Sequence, residues 1–76
     1  MRLTDAILLR DMRESCVSGT ARQAREDARL TQLEVAEIVG VTPQTIHYWE
    51  TGQRTPTGPR ALEYGKLLVR LARKAA

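Results

Sequence analysis

Between residues 31 and 56, TQLEVAEIVGVTPQTIHYWETGQRTP, two helix-start signals stand close together with a single glycine between them. Thr31 followed three residues on by Glu34 is a capping box, which predicts a helix from Gln32. Leu33, Val35, Ala36, Ile38 and Val39 then fall at helical spacing, with Glu34 and Glu37 turned to solvent. Gly40 tolerates the positive φ needed to stop a helix and turn sharply. Val41 is an apolar plug in the turn. Thr42 is a good N-cap, and Pro43 is pre-set for the first helical position. A second helix from Pro43 to about Thr51, ended by Gly52, buries Ile46 and Trp49 and shows Gln44, Thr45, His47, Tyr48 and Thr51 on its other side.

Two short helices at a fixed angle, the second with an outward polar face, form the layout of a helix-turn-helix, whose second helix lies in the DNA major groove. The segment resembles the helix-turn-helix domain of the Cro/phage-repressor family. Thr31-Gln32, Ala36, Gly40-Val41-Thr42, Ile46, Trp49-Glu50, Gly52 and Pro56 carry the resemblance in register, over roughly residues 21–70. It implies an all-α, lambda-repressor-like bundle of about five to six helices.

Seventy-six residues allow one domain with a small core, a shortage that a dimer interface would ease. The net charge of +3 permits a polyanionic partner without proving one. The motif itself is slightly acidic, with Glu34, Glu37 and Glu50 against Arg54. The basic surplus lies in the last helix, at Arg60, Lys66, Arg70, Arg73 and Lys74 against Glu63. Phosphate contacts within the motif must therefore rely largely on amides, hydroxyls and helix N-termini. A single cysteine, Cys16, excludes an internal disulfide and a multi-cysteine metal site, and fits a reducing compartment. With no membrane-length apolar run and no signal-peptide pattern at the N-terminus, the expectation is a cytoplasmic protein.

Residues 1–18 read as an N-terminal helical extension and 19–76 as the helix-turn-helix domain with a long C-terminal helix. Thr4 and Asp5 can cap a first helix running to about Glu14, with Ile7, Leu8 and Met12 as its apolar stripe. Ser18-Gly19-Thr20 breaks it, and Thr20 with Gln23 offers another capping box for a helix from Ala21 to about Ala28. Here the chain departs from the family: Ala21 and Ala24 stand where large aliphatics are usual, each forfeiting ~2–3 kcal/mol of burial. Residues 1–17 either cover that thin spot or form an arm that orders on a partner. Arg29 replaces a common family glycine, and positive φ there would cost about 1 kcal/mol, so a slightly different turn is expected. Pro59 opens the final helix, to about Lys74. Leu62, Leu68, Leu71 and Ala72 can face the domain, leaving Leu67 with Val69 or Tyr64 over. That surplus predicts a partner chain on this helix, with Leu67, Leu68, Val69 and Leu71 as candidate contacts.

Gln44 lies near the start of the second motif helix, where glutamine can bond an adenine bidentately through N6 and N7. Tyr48, one turn on, reaches either a phosphate or a thymine methyl, or packs on the loop. His47 is a base or phosphate contact or bare surface, with no second metal ligand at usable spacing. Pro43 caps the helix, and its ring could touch a thymine methyl. The resemblance implies that Gln32 bonds a phosphate and steadies Gln44, and that Arg25 pairs with Glu50. The hydroxyls of Thr31, Thr42 and Thr45 are further phosphate candidates, although Thr31 could be only a cap. Arg54 with the backbone amides of Gln53 and Thr55 would form a second phosphate clamp.

The residues thus predict a DNA-binding regulator, most simply a repressor, reading a palindromic operator in double-stranded DNA as a homodimer. The rival is a protein-interaction module, such as a DNA-binding antitoxin that neutralises a toxin partner. One histidine, one cysteine and no phosphate loop leave an enzyme nothing to work with, and no cofactor or metal is expected.

Overall fold

The computed structural model describes residues 2–75, and side chains through residue 74. Among these the chain forms five α-helices and no strand: α1 (Leu3–Ser18), α2 (Thr20–Asp27), α3 (Gln32–Val39), α4 (Pro43–Glu50) and α5 (Gly58–Ala75). No helix among the described residues is long and apolar enough to cross a membrane.

The motif helices start and stop as their residues dictate. The Thr31 hydroxyl accepts from the Glu34 amide at 3.0 Å, and the Glu34 carboxylate accepts from the Thr31 amide at 2.9 Å, completing the capping box. Gly40 adopts φ 88°, and the amides of Gly40 and Val41 both donate back to the Ala36 carbonyl. Thr42 caps α4 by accepting from the Thr45 amide at 3.2 Å. Arg60 of α5 adds a contact that spacing did not suggest, donating to the Val39 carbonyl at the end of α3.

The first two helices differ from expectation. Thr4 and Asp5 are not caps; they lie inside α1, which begins at Leu3 without a side-chain cap. Nor does α1 stop at Glu14. Ser15 and Ser18 return their hydroxyls to helix carbonyls at Asp11 and Ser15, so the helix continues to Gly19 at φ 88°. No capping box forms at Thr20. Its hydroxyl turns to Ser18 and the Ser15 carbonyl, while Gln23 bonds Asp27. Arg29 takes the positive φ (58°) outright, so the turn between α2 and α3 has a non-glycine residue in the left-handed region.

The core joins Leu9, Met12 and Cys16 of α1 to Ala21, Val35, Ala36, Val39, Ile46, Trp49, Ala61, Tyr64 and Leu67. Helix α1 therefore packs on the body of the domain, but through a face rotated from the expected Ile7–Leu8–Met12 stripe. Ile7 is exposed, and Leu8 sits against Gly65 so closely that a Cβ there would meet its Cγ at 3.1 Å. Ala21 is sealed, whereas Ala24 stays half-buried beside an open groove of about 330 Å³ lined also by Ala28, Leu30 and Leu71. The thin spot is thus only partly covered.

Tyr64 is buried with its ring 5.0 Å from that of Trp49, and its hydroxyl has no hydrogen-bond partner among the described residues. Burial pushes the neighbouring Cys16 thiol up to about 11 and raises the Tyr64 phenol as well. Leu67 is buried too, so it and Tyr64 are corrected from candidate partner contacts to core residues. The reason is helical phase: Ala61, Tyr64 and Leu67 share the inner face of α5, which leaves Val69 outside and Leu68 and Leu71 half-buried at its flanks. Ala72, expected inside, is exposed. Leu33 and Ile38 of α3 are likewise 53% and 59% exposed, because the core needs only the Val35–Ala36–Val39 edge of that short helix.

Candidate nucleic-acid interface

The angle of α4 is set by a buried polar joint. Arg25 Nε lies 2.6 Å from Glu50 Oε2, and its Nη2 donates to Oε1 at 3.1 Å, while Nη1 donates to the Leu30 carbonyl at 2.8 Å. The side chains are 12% and 1% exposed. These hydrogen bonds from Arg25 to Glu50 hold the guanidinium still further toward its protonated form. Gln32 completes the joint by donating its amide to Glu50 Oε1 at 3.0 Å. One carboxylate at the end of α4 is thereby tied to α2, to the start of α3 and, through Arg25, to the α2–α3 turn.

Gln32 consequently points at Glu50 and not at Gln44, which corrects the expectation that it steadies the latter. That task falls to Tyr48: Gln44 Nε2 donates to the Tyr48 hydroxyl at 2.6 Å, one turn along α4. An amide held by one N–H keeps its second N–H and its carbonyl oxygen for a base edge, the pair of groups a bidentate adenine contact requires. Above the Tyr48 ring lies the Arg54 guanidinium, 4.8 Å from the centroid, a cation–π contact that folds the loop back over α4. Gln44, Tyr48 and Arg54 therefore make one continuous ridge. Pro43 and His47 are exposed beside it.

The threonines cluster at the helix starts. Thr31 and Thr42 each cap a helix, and the Thr42 and Thr45 hydroxyls bond one another at 2.8 Å. Both N-termini thus carry hydroxyls at the positive end of a helix dipole, the chemistry suited to an oxygen anion. The clamp after α4 is narrower than expected. The amides of Gln53 and Arg54 donate to the Tyr48 carbonyl at 3.0 and 3.3 Å, so the Gln53 amide is spent on closing the helix. The Thr55 amide is not so engaged, leaving Arg54 and Thr55 as the outward donors.

Leu68 and Val69 border a second groove, about 180 Å³, with Leu8, Met12, Gly65 and Ala72. Leu71 lies on the other side of α5, in the groove against α2.

Two contributors carried no signal at short range. Arg13 of α1 donates to the Pro56 carbonyl at 3.1 Å across the whole motif, and Gly65 admits α1 against α5. Neither lies in a local pattern that spacing could expose.

No curated protein and no solved structure matches the chain significantly. A helix-turn-helix family model matches residues 22–68, more than half of the chain, and spans α3, the turn, α4 and most of α5. With the capped helices, the Gly40 turn and the outward face of α4, the chain belongs to the Cro/phage-repressor-type helix-turn-helix family, a family of DNA-binding transcriptional regulators.

Proposed function

We propose that the protein is a repressor that binds a palindromic operator as a homodimer, placing α4 of each copy in successive major grooves about 34 Å apart. The Gln44–Tyr48–Arg54 ridge carries this reading. Gln44 reads a base edge, with His47 and Pro43 as its neighbours, while Arg54, the Thr55 amide and the hydroxyls of Thr31, Thr42 and Thr45 meet phosphates. Gln32 reaches a phosphate only with the amide groups that its bond to Glu50 leaves free. The dimer forms on α5 through Leu68 and Val69, joined by Ile7 and Leu8 of α1, with Leu71 at the margin.

A gel shift at modest salt, with and without competitor duplex, tests the reading. Retention of one duplex against excess competitor is expected.

A second reading, that the domain chiefly docks a protein such as a toxin, draws on α3. Its outer face presents Glu34 and Glu37 between Leu33 and Ile38, an apolar and acidic surface poorly suited to a phosphate backbone. Absence of any shift at modest salt would leave this second reading standing.

A further inference from the structure

The family match begins at residue 22, so α1 is an addition to the motif, yet one of its side chains crosses to the DNA-facing side. Arg13 Nε donates to the carbonyl of Pro56 at 3.1 Å. Pro56 is fully buried and anchors the far end of the segment between α4 and α5. At the near end, Gln53 and Arg54 hang from the Tyr48 carbonyl. Between these two anchors stand the Arg54 side chain, stacked on Tyr48, and the exposed Thr55. Proline has no N–H of its own to tie down, so its carbonyl is the backbone group available there for a lock.

We infer that Arg13 is a positioning residue for nucleic-acid binding: a strut from the added helix that holds the 51–57 loop so that Arg54 and Thr55 meet the backbone of a bound duplex. The inference rests on the DNA-binding reading above. The hydrogen bond comes from Nε, the nitrogen nearest the chain, and a strut of this kind needs a donor at that reach and not a charge. Glutamine carries its amide nitrogen the same number of bonds from the backbone, so Arg13→Gln preserves the strut and removes the charge. Arg13→Met preserves the stem and removes the donor.

The test measures the wild type, Arg13→Gln and Arg13→Met in the full chain, first by amide hydrogen exchange of Gln53 and Arg54 in the free protein. Exchange in Arg13→Met should be faster by up to about tenfold, the scale of one lost hydrogen bond, with Arg13→Gln near wild type. Binding to the duplex retained by the wild type should weaken by a similar factor in Arg13→Met, equally for all sequences. Arg13→Gln should bind with wild-type affinity and an unchanged salt slope. Unchanged loop exchange in Arg13→Met would overturn the inference whatever the protein binds. A loss of binding in Arg13→Gln, with a salt slope lower by about one, would overturn it in favour of a direct phosphate contact. A Met variant that fails to fold would also overturn it, by making Arg13 a general support of the fold. Loosened exchange in a protein whose wild type retains no duplex would sink the DNA reading itself, and the role of Arg13 with it.

Discussion

Arg25 and Glu50 share two hydrogen bonds of 2.6 and 3.1 Å, and that pair fixes the end of α4 to α2. Because the Glu50 carboxylate is almost wholly buried, the pair is stabilising only while both members are present. Glu50→Ala should destabilise the fold by about 3–5 kcal/mol, since it strands the guanidinium and also the Gln32 amide. A double-mutant cycle by denaturant unfolding checks it. Coupling near zero would mean that the joint contributes only as an exposed pair does.

Tyr48 should matter to sequence preference through Gln44. Tyr48→Phe removes the acceptor of the 2.6 Å bond and keeps the ring under Arg54. Stability should stay within about 0.5 kcal/mol of wild type, as for most half-exposed sites. Preference at the base pair proposed for Gln44 should relax, part of the way toward the ~1–3 kcal/mol expected for Gln44→Ala. Binding selections on both variants would show it, and a Tyr48→Phe profile identical to wild type would contradict the clamp.

Two neighbours on α5 should behave oppositely. Leu67→Ala opens a cavity in the core and should cost about 2–5 kcal/mol of stability. Val69→Asp, on the exposed face, should leave the melt nearly unchanged and shift light scattering toward the monomer. A fully dimeric Val69→Asp would move the dimer face elsewhere.

The Glu34 carboxylate is held below its usual range by the Thr31 amide and hydroxyl. A carboxylate with a depressed folded pKa stabilises above its unfolded pKa, and that stabilisation is lost as pH falls through the folded value. Glu34→Gln retains an acceptor for the cap without titrating. Its stability should therefore fall less steeply than that of wild type as pH drops through the carboxylate range. Parallel curves would mean that the capping box adds nothing in solution.

Where structure depends on neighbours along the chain, the residues alone were informative. The capping box at Thr31, the turn at Gly40 and the Thr42–Pro43 start all act within four residues, and so did the ends of α3 and α4. Rotation about a helix axis was harder to read. In α1, Leu8 and Leu9 are adjacent apolar residues: the expected stripe runs through Leu8, whereas Leu9 enters the core and Leu8 lies half-buried against Gly65. In α5 the same ambiguity leaves Leu67 and Tyr64 over, whereas both are buried, the Tyr64 hydroxyl without a hydrogen-bond partner among the described residues. The Arg13–Pro56 contact and the turning of Gln32 to Glu50 are tertiary, and no spacing rule reaches them.

The central claim, that the outward face of α4 reads DNA as part of a symmetric dimer, is tested most directly by selecting binding sites from random duplexes with wild type and Gln44→Ala side by side. The wild type should enrich a palindrome whose half-sites lie about one helical turn apart, and Gln44→Ala should lose preference at one symmetric position while keeping the rest. Enrichment of no sequence by the wild type, or an identical site from both proteins, would contradict it.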